Sequence, residues 1–298
     1  MDLHLETPRV GLSMMVEADF LDATRELFDG DEVDALEWTL DVGWCADVSD
    51  DVRTTLAAFA ERGALYGHGF AFSALSGVDA ASHHSWLRLL SREISTRRYR
   101  HVSEHHGFMF AGDFVHSAPL PVPRTQRSVA LGCDRLRRLR DAAETPVGLE
   151  NLAIAFGMSD VLDQGPFLAE LLEPVDGFVV LDLHNLYCHI HNFDVDPVAI
   201  LRRYPLERVR ELHVSGGSFS TPAADPRGRW FRRDTHDGSV PEEVFALVPL
   251  ALSMCPHVEA IFLERLGNTL ADERDKARLR HDYRRVRNLA HHRSEEST

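Results

Sequence analysis

Short apolar runs alternate with longer amphipathic segments along most of the chain. Eight of these runs are rich in β-branched or aromatic residues, and each precedes a segment whose apolar positions recur at helical spacing. The runs begin at residues 9, 35, 64, 99, 146, 177, 208 and 259. Helix starts are marked as well, by Ser49 and Asp50 before one predicted helix and by Asp196-Pro197 before another. Eight strands alternating with eight helices predict an α/β fold, the (β/α)8 TIM barrel.

The alternation runs through the chain without a break in composition. It therefore predicts a single barrel domain over residues 1–290, followed by a disordered tail over 291–298 that has no apolar anchor. Two connections, 107–124 and 215–238, are too long to be plain turns. Loops of this length in a compact domain are usually lids or binding loops, so we expect both to border a site.

Composition narrows the possible partners and the compartment. The 298-residue chain has 47 acidic and 32 basic side chains, a net charge of -15, which disfavours nucleic acid because its binding depends on neutralising phosphates. The four cysteines lie far apart without C-x-x-C spacing, which indicates neither a disulfide framework nor a thiolate zinc site. The sequence has neither a signal-peptide pattern nor an apolar stretch approaching the roughly 20 residues that cross a bilayer. We interpret the chain as a cytoplasmic protein without a membrane partner.

Side chains that can bind metal ions lie at most of the predicted strand ends. In a TIM barrel the chemistry takes place at the C-terminal ends of the strands, which meet around one mouth. A single histidine or glutamate there is usually a solvated polar residue, but nine such groups would repel or stay unsatisfied without a cation among them. The nine are His68, His105, Glu150, Asp182, Asn185, His213 and Glu264 near the ends of strands three to eight, and Asp234 and His236 in the loop after strand seven. Nine ligands are too many for one ion, so we expect two or three metal ions with Glu150 as the bridge.

Six motifs, in chain order, resemble those of one protein family. They read HVSEHHGF, GLENL, LDLHNLY followed by HNFD, ELHVSG, DTHDGSVPEEVFAL and LERL. Together they resemble the DUF692 family of multinuclear non-haem iron-dependent oxidative enzymes, which are TIM barrels that modify ribosomally made peptides. The resemblance extends from about residue 9 to residue 266.

The resemblance implies a cofactor and a reaction. The cofactor would be two or three iron ions, Fe(II) or Fe(III), with O2 as co-substrate and no catalytic residue beyond the metal ligands. By motif, His68, His105 and Glu150 would hold one iron; Glu150, Asp182, His213 and Glu264 a second; and Asn185, Asp234 and His236 a third. The reaction would oxidise a cysteine, or a C-terminal or acidic residue, in a ribosomally synthesised precursor peptide. A small recognition protein that delivers the peptide is a further expected partner.

A basic and aromatic stretch, PRGRWFRR, directly precedes Asp234 and suggests how the substrate is held. Its side chains Arg229, Arg232 and Arg233, with Arg227, could clamp an acidic peptide or its C-terminal carboxylate. The alternative is a surface lid whose arginines pair with local acids. His184 stands where the family more often has asparagine, and we place it with the substrate-binding residues; the alternatives are a residue that supports a ligand or a packed imidazole. Asn192 resembles a family position that orders this loop.

Three other functions remain open. Endonuclease IV-like barrels use a similar order of ligands around three zinc ions for phosphodiester hydrolysis, but the acidic composition and Asn185, where that family has histidine, argue against it. A xylose isomerase-type enzyme needs a catalytic lysine, and Lys276 in the last predicted helix is the only lysine of the chain. The remaining alternative is a non-catalytic barrel that binds metal or peptide. Iron with oxygen consumption would favour the oxidative enzyme, and zinc with abasic-site cleavage the nuclease.

Overall fold

A computed structural model describes residues 7–45, 47–77, 81–220 and 228–292. The strands of this part of the chain are β1 (Arg9–Met14), β2 (Ala35–Thr39), β3 (Leu65–Gly69), β4 (Val102–His105), β5 (Phe108–Ala111), β6 (Phe114–Leu120), β7 (Val147–Glu150), β8 (Phe178–Asp182), β9 (Val209–Ser215) and β10 (Ala260–Glu264). All except β5 and β6 pair in parallel in chain order, and β10 pairs with β1 to close the barrel. The predicted TIM barrel is confirmed, and each predicted apolar run supplies one barrel strand.

Helices surround the strands, and the main apolar core lies between the two layers. They are α1 (Ala18–Asp29), α2 (Leu40–Cys45), α3 (Asp50–Glu61), α4 (Ala81–Thr96), α5 (Gln126–Ala143), α6 (Met158–Leu172), α7 (Leu183–Phe193), α8 (Pro197–Leu201), α9 (Glu242–Met254) and α10 (Glu273–His292). Ser49 caps α3 by accepting a hydrogen bond from the Val52 N–H, and Asp196 caps α8 in the same way, as predicted. The predicted tail begins inside α10, and residues 293–298 lie outside the described residues. Within the described ranges, no helix combines the length and the apolar character needed to cross a bilayer.

The segment 107–124, predicted to be a loop, contains an antiparallel hairpin. β5 and β6 pair across a turn at Gly112, with Ala111 opposite Phe114. Gly112 has φ +59, the left-handed conformation that favours glycine in a tight turn. The loop prediction was wrong because much of β6 faces solvent, with Val115 77% exposed, and therefore lacks the apolar alternation of a half-buried strand. The hairpin stands beside the barrel mouth, directly after β4.

The chain turns into a helix directly at the end of β8, where the sequence analysis placed Asn185 near the end of the strand. β8 ends at Asp182 and α7 begins at Leu183. The Asp182 carboxylate accepts a hydrogen bond of 2.6 Å from the Asn185 N–H and so caps α7. The apolar run concealed this boundary because a helix that is buried on most of its surface is as apolar as a strand. Asn185 therefore lies in the first turn of α7 rather than on the strand.

Apolar side chains close the barrel interior below the mouth. The rings of Tyr66 and Phe262 lie 5.0 Å apart between centroids, and Ala35 and Ala260 complete this buried cluster. Gly11 makes room for it, since a Cβ there would lie 2.4 Å from both the Ala35 carbonyl oxygen and the Phe262 ring. The polar side chains of the mouth therefore rest on an apolar floor.

Candidate metal centre

Three adjacent strands bring the first predicted group of ligands together. His105 and Glu150 are the last residues of β4 and β7 and lie opposite each other in the sheet, and His68 lies near the end of β3. His68 Nε2 is 3.3 Å and His105 Nε2 is 3.1 Å from Glu150 Oε2. The barrel thus directs two imidazole nitrogens at a single carboxylate oxygen.

The other oxygen of Glu150 faces the second predicted group. Glu150 Oε1 lies 3.4 Å from His213 Nδ1, which is also 3.4 Å from Glu264 Oε2. Asp182, at the end of β8, is the register partner of His213 and completes the group. One ligand atom from each of these four residues lies within 4.8 Å of the others, and all four side chains are buried. Glu150 is therefore shared through its two separate oxygens between a fully buried group and a group in which only His105 is partly exposed.

The geometry of both groups fits metal ligands better than it fits hydrogen bonds. Around an ion with bonds of about 2.1 Å, neighbouring ligand atoms lie roughly 3.0–3.4 Å apart, and the four spacings given above match this range. Each buried polar atom without a partner costs about 1–3 kcal/mol, and a cation would satisfy several at once. The described part of the chain offers no hydrogen-bond partner to Glu150 Oε2, Asp182 Oδ2, Asn185 Oδ1, His213 Nδ1, His236 Nε2 or Glu264 Oε2. These atoms belong to six of the nine predicted ligands.

Hydrogen bonds at the opposite ring nitrogens orient the histidines. His105 Nδ1 lies 3.2 Å from the Gly69 carbonyl oxygen, which can only accept a hydrogen bond. His68 Nδ1 lies 2.7 Å from Ser103 Oγ. Donation from Nδ1 leaves the Nε2 lone pair free for a metal, which is the usual arrangement of a histidine ligand and its supporting group.

The close packing of acids and imidazoles shifts their pKa values. Burial by itself raises the pKa of Glu150, but the neighbouring imidazoles, His105 first, hold that pKa well below its usual value. Burial, reinforced by nearby carboxylates, raises the pKa of Asp182 well above its usual value. Burial lowers the pKa of His68, yet the carboxylates of Glu37 and Glu150 outweigh it and raise this pKa to about 9. Protons on the histidines therefore balance the buried acids, and a cation could replace those protons.

The third predicted group lies nearer to solvent. His236 Nε2 is 2.7 Å from Asp234 Oδ1 and 3.8 Å from Glu264 Oε2, and both Asp234 and His236 are partly exposed. His236 has φ +50, a strained conformation for a residue other than glycine and one that is common at functional sites. Asn185 Nδ2 donates to the Asn151 carbonyl oxygen, so its orientation leaves Oδ1 free. Asp234 and His236 thus meet beside Glu264 of the second group, whereas the hydrogen bonds of Asn185 are with Asp182 and Asn151.

His184 is fully buried and connects Asp234 to Arg232. Its Nε2 accepts a 2.9 Å hydrogen bond from Arg232 Nε, so its proton lies on Nδ1, 3.2 Å from Asp234 Oδ1. Burial lowers the pKa of His184, which keeps the ring neutral. Gly217 permits this packing, since a Cβ there would lie 2.8 Å from His184 Cε1. Both ring nitrogens are occupied within the protein, which places His184 behind Asp234.

The three arginines assigned to substrate binding occupy different environments. Arg232 is 8% exposed, and its guanidinium lies 5.0 Å from the centroid of the Phe219 ring. Arg233 is exposed and donates to Ser218 Oγ, and Arg229 is exposed above the Phe231 ring. Asn192 donates to and accepts from the Arg232 backbone, which orders the loop as predicted. Arg227 lies outside the described residues.

The sequence analysis missed a buried layer of acids beneath the ligands. Glu37 and Glu211 are each 1% exposed, and both lie close to His213 Nε2. A signal for Glu211 was available, because strand side chains alternate and a residue two before an inward histidine also points inward. The same alternation places His101 on the inner face with His105, and its Nε2 lies 2.5 Å from Glu211 Oε2. His101, which the sequence analysis did not single out, is thus part of the support of the site.

A parallel barrel whose mouth holds buried histidine, glutamate and aspartate groups is a TIM-barrel protein with candidate metal sites. A family model described as "RiPP precursor modification enzyme MbnB/TglH/ChrH", where RiPP denotes a ribosomally synthesised and post-translationally modified peptide, matches residues 25–290. This chain belongs to that family, which confirms the resemblance to DUF692 proteins.

Relatives and solved structures agree with this assignment. A UPF0276 protein of Caulobacter vibrioides is 30% identical over 234 residues, covering 78% of this chain and 77% of that protein. A UPF0276 protein of Bordetella pertussis is 32% identical over 219 residues, covering 72% of each. Endonuclease IV of Thermus thermophilus superposes with a TM-score of 0.56 at 16% identity, covering 94% of this chain and 100% of that one. The last likeness concerns the fold alone.

Proposed function

We propose that this chain is a multinuclear non-haem iron enzyme that uses O2 to oxidise one residue of a RiPP precursor peptide. Membership of a RiPP precursor modification family supports the substrate class. The observation that carries the proposal is the division of the two Glu150 oxygens between two adjacent ligand groups. A carboxylate shared in this way is suited to bridge two metal ions.

The residues would hold iron as follows. His68, His105 and Glu150 would bind one ion; Glu150, Asp182, His213 and Glu264 a second; and Asn185, Asp234 and His236 a third. Bound iron would supply the one-electron and dioxygen chemistry that side chains lack. The orphaned ligand atoms and the metal-like spacings support this assignment. The choice of iron over zinc rests on the family, since the same imidazoles and carboxylates bind either.

Arg232 would hold the substrate by a carboxylate. Among the described residues, no carboxylate lies within salt-bridge distance of its guanidinium, which is buried against Phe219 and Tyr187. A buried charge without a counter-charge is unfavourable, and a side-chain or C-terminal carboxylate of the peptide would supply one. Arg229 and Arg233 are more exposed and would form the outer part of the clamp.

The protein's own contribution is to orient and shield the reacting residue. The hydrogen bonds from Arg232 through His184 to Asp234 link the proposed carboxylate site to the third ligand group. A peptide held by Arg232 would place its modified cysteine or acidic residue beside the metals. The apolar floor of the barrel keeps water from the far side. A small recognition protein would deliver the peptide.

The proposal is tested by reconstituting anaerobically purified protein with Fe(II) and adding a candidate precursor peptide encoded beside this chain. We expect at least two irons per chain, and oxygen consumption that accompanies a mass change in the peptide. Glu150→Gln should abolish the oxygen consumption and the mass change of the peptide. Glu207→Gln, the same exchange at an exposed position, should abolish neither. Zinc as the bound metal, with cleavage of abasic DNA, would instead identify a nuclease. Wild-type protein that binds neither metal would refute the metal assignment.

A further inference from the structure

His213 has two ring nitrogens in different surroundings. Nδ1 faces the second ligand group, 3.4 Å from both Glu150 Oε1 and Glu264 Oε2. Nε2 points the other way, toward two carboxylates of the buried acid layer, with Glu37 Oε1 at 2.7 Å and Glu211 Oε1 at 2.8 Å. If Nδ1 binds a metal, Nε2 carries a single proton for which these two oxygens compete.

Hydrogen-bond geometry favours Glu211 over Glu37. Glu211 Oε1 is aligned to accept from His213 Nε2, whereas Glu37 Oε1, although slightly nearer, has no hydrogen bond with any described residue. Glu211 is also held from its other side, with Oε2 2.5 Å from His101 Nε2. Glu37 instead uses its Oε2 to accept a 3.0 Å hydrogen bond from Ser13 Oγ. Glu211 therefore lies fixed between two imidazoles, and Glu37 lies close to the same proton without receiving it.

We propose that Glu211 is the positioning residue of His213, an inference that rests on the proposed metal centre. By accepting the Nε2 proton, Glu211 would keep the Nδ1 lone pair directed toward Glu150 and Glu264, the residues that would hold the metal with His213. Its negative charge increases electron density on the ring, which strengthens the metal bond and stabilises the more oxidised metal. Glu211 thus raises the affinity of this site and lowers its reduction potential.

An alternative role for Glu37, Glu211 and His213 is to bind a further cation, since one ligand atom of each lies within 4.8 Å of the others. The hydrogen bonds argue against such an ion. Both oxygens of Glu211 and one oxygen of Glu37 already have partners, so of these four oxygens Glu37 Oε1 alone has no hydrogen-bond partner among the described residues. In the second ligand group, by contrast, Asp182, His213 and Glu264 each have an atom without a partner. Glu211 therefore supports a ligand rather than serving as one.

Glu211→Gln and Glu37→Gln form a matched pair, because both replace an acid by its amide at an equally buried position beside the same nitrogen. We expect Glu211→Gln to weaken retention of Fe(II) about 10- to 100-fold in anaerobic competition with a chelator. We also expect it to raise the midpoint potential in a redox titration followed by Mössbauer spectroscopy. Glu37→Gln should change both quantities less. Circular dichroism of the metal-free proteins reports whether each variant folds.

Glu211→Asp separates charge from packing, and it remains informative if Glu211→Gln fails to fold. It keeps the charge but removes a methylene, so its potential should lie between those of the wild type and Glu211→Gln. A purely structural role would make Asp at least as disruptive as Gln, and that order of potentials would overturn the inference. Equal effects of Glu211→Gln and Glu37→Gln would do the same. A third contrary outcome is that Glu211→Gln and Glu37→Gln each lose one iron while the Mössbauer spectrum of the remaining iron is unchanged. That outcome would reveal a further cation site and would also overturn the inference. Failure of wild-type protein to bind iron would refute the proposed function itself.

Discussion

Glu150 belongs to both buried ligand groups, so its replacement should remove twice the metal-dependent stability that replacement of an unshared ligand removes. Glu150→Gln keeps the size of the side chain but removes the charge that faces His68 and His105 on one side and His213 on the other. Glu264 belongs to the second group alone and provides the comparison.

The magnitude follows from ligand linkage and chain length. A metal at about 100 times its dissociation constant stabilises the folded state by about 2.7 kcal/mol per site. An unfolding entropy of about 2.1 cal/mol/K per residue gives about 0.6 kcal/mol/K for this 298-residue chain. Metal binding at one site should then raise Tm by about 4 °C, and binding at two sites by about 9 °C. Relative to the wild type, Glu150→Gln should lose about 9 °C of the Fe(II)-induced shift and Glu264→Gln about 4 °C.

The assay is anaerobic differential scanning calorimetry of each protein with and without Fe(II). Each variant is compared with its own metal-free form, which removes the direct effect of the substitution on folding. Glu207→Gln should keep the full shift because its side chain is exposed, away from the ligand groups. If Glu150→Gln loses no more of the shift than Glu264→Gln, the two groups do not share Glu150 and the reasoning fails.

Three further predictions follow from individual side chains. Affinity for Fe(II) should rise as the pH increases toward about 9, because the pKa of His68 is raised to about 9 and the metal must displace the proton that this ring carries below that pH. An affinity that does not change with pH in chelator competition would contradict this. Burial lowers the pKa of His189 from 6.5 to about 4, so the unfolded chain binds a proton at higher pH than the folded chain does. As the pH decreases from 6.5 to 4, stability should therefore fall, by roughly 3 kcal/mol in full. His189→Leu should flatten this slope in urea unfolding, and an unchanged slope would show that His189 is not its source. Arg232→Ala should raise KM for a peptide with a free carboxylate about 10- to 100-fold, the loss of one charged hydrogen bond, but should leave an amidated peptide without other acids unaffected. Arg233→Ala should have the smaller effect because Arg233 is exposed, and equal effects of the two variants would argue against a buried carboxylate site.

The barrel could be predicted from the sequence because the residues of each strand and helix show the apolar pattern of that element. Runs of β-branched residues mark the strands, and a parallel strand followed by a helix can close only in a few ways. The hairpin of β5 and β6 was missed because this local signal is absent: β6 is largely exposed and does not show the apolar pattern of a buried strand. The start of α7 was missed because Leu183 continues the apolar run of β8.

Most of the site could be predicted because its ligands lie where strands end. His105, Glu150 and Glu264 are each the last residue of a barrel strand, a position that the end of an apolar run reveals, and Asp182 also ends its strand although Leu183 hides that boundary. Glu37 escaped because it lies within β2, where a single acid does not show whether it faces the interior or the helices, whereas Glu211 could have been found from its position two residues before His213. Only closure of the barrel brings Glu37 of β2 and Glu211 of β9 to the same nitrogen of His213.

The sequence by itself determined the eight-stranded alternation, the strand ends and the types of side chain that stand there, because these depend on neighbours within one element. The tertiary structure decided which Glu150 oxygen faces which histidines, which ring nitrogen of His213 is left for a metal, and that Arg232 is buried without a described carboxylate partner. These features depend on distances between residues far apart in the chain. Such distances exist only once the first and last strands pair and the barrel is closed.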